Sequence, residues 1–291
     1  MKSSIILFFS LLYSTSTSPS SHEKPRPKIN RSAHCIKKIA FNMQGTQLAC
    51  LLAGDQKKDL VKIYDILTGK ATSTFKVLPS SDISFVKFGI AVVASDKKRI
   101  AFYKAQSGKK SKNDAVFKCN YPKWDSFDAL TNESNFICMK SDHQGIEHWK
   151  KSGWIKYLLN HEVTHIHAAN QNTIVVSSPE KHYLYDINQM TQKKSFDAMG
   201  CAQRAWLFEN ILLEPYLPQD GASERKLYIR SISTGEILAA LSINIDMFFN
   251  NTAKISHDGE YIAAIDTNTP NRVDVMCLSQ LKKHISRITH K

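Results

Sequence analysis

With 291 residues, 42% of them hydrophobic, the chain has enough apolar content to bury the core of one large all-β domain or two ordinary ones, which excludes a disordered polymer. Lys and Arg outnumber Asp and Glu by 39 to 26, a formal charge of +13. That excess attracts acidic proteins, anionic glycans, lipid headgroups or nucleic acid over long range and is silent about fold.

The chain opens with Met1-Lys2-Ser3-Ser4, an apolar block from Ile5 to Tyr13, and a run of small residues from Ser14 to Ser21. This is the order of a secretory signal peptide. The block is too short for a spanning helix, which needs about 20 apolar residues. Ser21 to Ser32 is charged, holds Pro25 and Pro27, and lacks apolar periodicity, as an extended lead-in does. The expected division is residues 1–20 as signal peptide, 21–33 as lead-in and 34–291 as one folded domain, secreted or periplasmic.

Beyond the lead-in, an internal repeat sets the pattern. FNMQGTQLA (Phe41 to Ala49) and ISHDGEYIA (Ile255 to Ala263) share one template. It is a strand end, a turn glycine able to take positive φ, and a resuming apolar strand. A second template, an alternating strand ending in Thr-Gly or Ser-Gly, recurs at Lys62 to Lys70, Ala101 to Lys109 and Tyr228 to Glu236. Gly45 and Gly259 lie five steps of about 43 residues apart, and Gly69 and Gly108 one step of about 40.

Each unit reads as four short strands. First strands are expected at Ile36 to Phe41, Ile83 to Phe88, Ser126 to Leu130, Val163 to Ala168, Ala202 to Leu207 and Thr252 to Ile255. The last unit is expected to end in a strand at His284 to Ile288, or to take Lys28 to His34 as an outer edge strand. No small twisted sheet buries both faces alone, so stable packing is a ring of sheets. The expected fold is an all-β β-propeller of about six four-stranded blades, with seven as the alternative count.

The two hairpin templates, with KIYDILTGK downstream of the first and YLYDIN at Tyr183 to Asn188, resemble repeats of the WD40-like β-propeller superfamily. The resemblance covers nearly all of the folded part and is specific in the first and sixth units. No unit has the Gly-His pair, and Tyr64-Asp65 and Tyr185-Asp186 stand where Trp-Asp is usual. What the resemblance implies is a platform for protein or peptide partners, with no catalytic residues to carry over.

HEVTH, from His161 to His165, matches the zinc pattern H-E-x-x-H. On a helix its two imidazoles share a face and reach one ion; on a strand, positions four apart are about 13 Å apart. The repeat phase puts His161 at the bend into the fourth unit, so a strand is expected, with His165 and His167 on one face and neither metal nor cofactor assigned. A metal-dependent hydrolase using this segment is the alternative function, and a binder of anionic surfaces or glycans another. No nucleophile elbow, P-loop or dinucleotide fingerprint occurs, and the basic stretches lack the aromatic interleaving of a specific nucleic-acid site.

Six cysteines occur. Cys50, Cys138 and Cys277 lie in apolar strand-like runs, where a buried thiol is expected; Cys35, Cys119 and Cys201 have more polar surroundings that permit pairing. Asn30, Asn132 and Asn250 head glycosylation sequons. The main reading is a monomeric, non-enzymatic scaffold whose partner is a protein or peptide. Contacts are expected from Trp124, Arg204 and His161 in the loops between blades.

Overall fold

In a computed structural model, the structure describes residues 28–29 and 34–289 apart from 56, 87–88, 96–98, 111–116, 119–123, 130–135, 141–144, 151–152, 160, 169–172, 187, 200–204, 219–223 and 244. The expected signal peptide and nearly all of the expected lead-in fall outside these residues, as do Cys119, Cys201 and Arg204. No helix among the described residues is long and apolar enough to cross a membrane.

Strand β1 is Lys28–Ile29. Blade 1 contains β2 to β5 at Ile36–Phe41, Gln47–Asp55, Lys58–Asp65 and Ala71–Val77. Blade 2 contains β6 to β9 at Ser80–Val86, Gly89–Ala94, Arg99–Tyr103 and Phe117–Lys118. Blade 3 contains β10 to β13 at Trp124–Ala129, Phe136–Lys140, Gly145–Lys150 and Gly153–Leu158, and blade 4 contains β14 to β17 at His165–Ala168, Thr173–Ser177, Lys181–Asp186 and Thr191–Asp197. Blade 5 contains β18 to β21 at Trp206–Phe208, Ile211–Tyr216, Lys226–Ser231 and Ile237–Ser242. Blade 6 contains β22 to β24 at Lys254–Ile255, Tyr261–Ile265 and Val273–Cys277, and helix α1 follows at Ser279–Thr289.

All ladders are antiparallel, and each of the six sheets has four strands in meander order, the last completed by β1 beside β24. The first strands β2, β6, β10, β14, β18 and β22 neighbour one another in turn, and β22 returns to β2. This is the β-propeller expected from the repeat.

Alternation in the inner strands explains the ring. In β3, Leu48, Cys50 and Leu52 pack with Ala263, Val273 and Val275 of blade 6. Ala49 and Leu51 pack on the opposite side with Ile83, Ile90 and Val92 of blade 2. Successive side chains of a strand point to opposite faces, so an apolar run of this kind requires a sheet on either side. The interfaces of blade 3 with 4, 4 with 5 and 5 with 6 repeat the arrangement.

Closure differs from one expectation. Lys28 and Ile29 pair with Asp274 and Val273, so the N-terminal segment does supply the outer strand of blade 6. His284 to Ile288, expected as a strand, is helical. Leu281 and the buried Ile285, four residues apart on one helix face, pack with the blade 5 and 6 core. Lys282 Nζ reaches Glu260 at 3.0 Å and fastens the helix to the β22–β23 hairpin.

Two turn glycines of positive φ lie against a neighbouring blade. Gly108, φ +62°, lies so close to Phe75 of blade 1 that a Cβ would sit 2.2 Å from the Phe75 Cβ. At Gly235, φ +79°, a Cβ would lie 3.4 Å from Phe196 Cδ1 of blade 4, an ordinary contact. Both Gly108→Ala and Gly235→Ala meet the left-handed penalty of about 1–2 kcal/mol. Only the former adds an overlap worth about 1–3 kcal/mol more. Urea unfolding of the two variants therefore separates them, Gly108→Ala being the less stable; equal losses would refute the close approach.

Candidate functional site

The loops from one blade to the next lie at the same end as those joining second to third strands. Arg225, which precedes β20, reaches Asp246 between blades 5 and 6 at 2.6 Å, and its guanidinium lies 5.1 Å from the Phe249 ring. Leu217, in the loop leaving β19, stays 47% exposed. An exposed leucine beside an Arg–aromatic pair is the composition of a contact surface rather than of a reaction centre.

His161 lies in the loop entering blade 4, its ring stacked on Tyr183 at 3.6 Å between centroids. Burial lowers its pKa, so the ring is held neutral. Glu162 is exposed, and residues 161–164 are extended or bent rather than helical. HEVTH therefore lacks the helical face on which both imidazoles meet one zinc. Among the described residues, no group of three or more His, Cys, Asp or Glu side chains is placed to hold a metal ion.

His165 and His167 share a face of β14, with ring centroids 4.8 Å apart. His165 sits in the positive field of the channel. Burial, then the charges of Lys254 and Lys38, push its pKa down to about 3. His167 lies deeper, with its ring 6.4 Å from His182.

His182 belongs to a sealed polar cluster between blades 4 and 5. Ser177 Oγ lies 2.6 Å from His182 Nδ1, and His182 Nε2 lies 3.1 Å from Glu214 Oε1. The Arg230 Nε–H donates to Glu214 Oε2 at 2.6 Å, and the Met199 backbone N–H donates to Oε1 at 2.9 Å. The remaining guanidinium nitrogens of Arg230 donate to the Asp197 and Gly235 carbonyls, both at 2.8 Å. Its flat face lies 4.8 Å from Phe196. Burial raises the Glu214 pKa, but the bonds from His182, Arg230 and Met199 outweigh it and hold the carboxyl below its ordinary range.

Serine, histidine and glutamate in that order have the form of a nucleophile triad. Their exposures, 0% for Ser177 and His182 and 2% for Glu214, leave no approach for a substrate, and Arg230 occupies the second carboxylate oxygen. The cluster is an interblade lock. A smaller lock joins blades 1 and 2, where Asp59 accepts from Lys37 Nζ at 2.7 Å, Ser80 N at 2.8 Å and Gly54 N at 3.0 Å. Nothing in the local sequence marks Ser177, His182, Glu214 and Arg230 as a unit, because they come from four strands of two repeats.

Of the expected contact residues, His161 is placed against Tyr183, Trp124 begins β10 at the start of blade 3, and Arg204 falls outside the described residues. Trp206, by contrast, packs between blades 5 and 6, its Nε1–H donating to the Ala253 carbonyl at 3.0 Å. Cys50 is buried, and burial pushes its thiol up to about 12. Cys277, expected to be buried, is an exposed free thiol. It ends β24 beyond Val273 and Asp274, the two residues that β1 covers. Cys35 is also free and exposed. The Asn250 sequon is engaged internally: the amide donates to the Ile265 carbonyl at 2.8 Å and accepts from the Thr252 N–H at 2.8 Å.

No family model matches the sequence, and no curated protein matches it. Solved structures do match in fold. The structure of U3-55K aligns with a TM-score of 0.59 at 10% identity, covering 86% of this chain and 98% of that one. The mitotic checkpoint complex gives 0.57 at 11% identity over 85% and 76%. The Cps50 (Swd1) β-propeller domain from Myceliophteria thermophila gives 0.51 at 13% identity over 85% and 98%. The chain thus shares the β-propeller fold with these structures.

Arg230→Ala leaves the Glu214 carboxylate buried without its guanidinium and costs about 3–5 kcal/mol; urea unfolding measures the loss, and a change below 1 kcal/mol would refute the lock. His165 adds a pH dependence. Its folded pKa lies below the ordinary 6.5, so its contribution is present above that value and is lost as pH falls toward about 3. From pH 7 to pH 5 the native protein loses about 2 kcal/mol through this residue. His165→Gln loses that much less over the same interval, as read from unfolding at both pH values.

Proposed function

We propose that this WD40-type β-propeller is an exported, non-enzymatic scaffold that binds a protein or peptide at the loop end of its ring. One observation supports this above all: the described Ser177–His182–Glu214 constellation is sealed between blades, while Leu217 and the Arg225–Asp246–Phe249 group are presented at the loop end. Propellers bind through such loops because the blades themselves are committed to packing on each other. Trp124 and Arg204, at the entries to blades 3 and 5 in sequence, are further proposed contacts on this end.

Export rests on the order of charge, apolar block and small residues before Ser21. Because β1 completes blade 6, a productive cleavage has to fall before Lys28.

Leu217→Asp is expected to weaken partner capture at least tenfold, about 1.4 kcal/mol. Leu67→Asp, altering a leucine 65% exposed in the turn between β4 and β5 at the opposite end, is expected to leave capture unchanged. Equal effects of the two substitutions would reject this surface. Mass spectrometry of the protein from its native source should find a first residue between Tyr13 and Lys28, and a chain still starting at Met1 would reject export.

A further inference from the structure

HEVTH overlaps a second histidine spacing, H-x-H, from His165 to His167. Both residues lie on β14, and Ile166 between them is buried in the core shared by blades 3 and 4. Ladder partners Ser177, Val176 and Val175 fix the register of all three. Because side chains of a strand alternate, burying Ile166 commits both imidazoles to the opposite face. His167 is buried there and His165 half-buried.

The two rings meet at a separation that suits a single ion. Their centroids are 4.8 Å apart and their planes are inclined by 42°. With nitrogen–metal bonds of about 2.0–2.1 Å, each centroid of a coordinated pair stands about 3.2 Å from the ion, so this separation corresponds to an angle of about 100° at the metal. That value lies between the right angle of a square site and the tetrahedral angle. Nitrogen lone pairs lie in the ring planes. Inclined planes intersect, whereas parallel stacked rings never aim at one point.

The donor chemistry selects the ion. Imidazoles are poor ligands for magnesium and calcium, which take oxygen, and suit copper, nickel and zinc. The charges of Lys254 and Lys38 act on His165 and oppose any cation held by charge alone. The strongest bond to nitrogen therefore decides, and among divalent first-row ions that bond belongs to copper. Burial keeps His165 neutral, so its ring has no proton to give up before binding. His182, 6.4 Å from His167, is already engaged by Ser177 and Glu214 and stays outside the pair.

We propose that His165 and His167 together bind a divalent copper ion on the innermost strand of blade 4, with water in the remaining positions. The site is separate from the loop-end surface and does not depend on the scaffold reading.

The test uses the full folded domain, stripped of metal, with divalent copper and magnesium added separately. In the wild-type protein carrying isotope-labelled histidine, electron paramagnetic resonance is expected to show one copper per chain coupled to two imidazole nitrogens. Copper is expected to raise the melting temperature saturably, and magnesium to leave it unchanged. His165→Gln is expected to weaken that copper at least tenfold, whereas His161→Gln, which alters the other histidine of HEVTH, leaves it in place. Copper coupled to fewer than two imidazole nitrogens would overturn the proposal, as would an unchanged affinity in a folded His165→Gln. Equal weakening by His161→Gln would also overturn it and return the ion to the HEVTH pair. Equal stabilisation by magnesium would reveal an adventitious cation only, and reject the site.

Discussion

The second strands of blades 1, 2, 4, 5 and 6 bury mostly apolar side chains on both faces, and that one constraint organises the rest. Leu48, Cys50 and Leu52 of β3 look toward blade 6, and Ala49 and Leu51 toward blade 2. A sheet built this way exposes a greasy face unless it has neighbours on both sides, at about 25 cal/mol for each Å² of apolar surface left in water. Six sheets solve the problem by meeting end to end, with β1 completing the last. Cooperativity follows, since loss of one interface uncovers its two neighbours.

Polar groups reinforce this packing in a recurring geometry. Tyr103 stacks on Phe75 of the preceding blade with centroids 5.9 Å apart, and its hydroxyl accepts the Leu78 N–H at 3.2 Å. Arg230 lies over Phe196 of its preceding blade and donates to the Asp197 carbonyl. In both cases a turn glycine, Gly108 or Gly235, follows five residues later and lets the turn approach the aromatic ring. A tyrosine and an arginine thus do the same job: each supplies a flat surface for the ring and a polar atom for the backbone at the end of the outer strand. The Ser177–His182–Glu214 cluster extends the second lock and is satisfied inside the protein, which is why a constellation of catalytic appearance has a structural role.

The division of labour follows from this commitment. Blade faces and interblade polar groups hold the ring, so the proposed contact surface is the loop end. The channel is not electrically uniform, because position after position of the first strands is filled by a different residue: Lys38 in blade 1, Asp82 in blade 2, His165 in blade 4. A repeated backbone thereby presents a non-repeating pattern of charge, which is what selection among partners requires.

Much of the fold was legible in the chain. Turn glycines at a near-constant period and strands such as Ile36–Phe41 and Ala71–Val77 follow from local alternation and left-handed turns, which neighbours in sequence control. The final helix was also written locally, with Leu281, Ile285 and Ile288 at helical spacing, but an expected last strand in the repeat obscured it. The site was much less legible. His165 and His167 share a face simply because strands alternate, whereas the meeting of His182 with Glu214 joins residues that lie 32 positions apart. By itself, the sequence determined the repeat, the strand faces and the presence of a histidine-rich bend, all of which depend on residues within a few positions. Only the tertiary structure decided which histidine is sealed and which thiols are exposed, because those properties depend on what the adjoining blade places opposite.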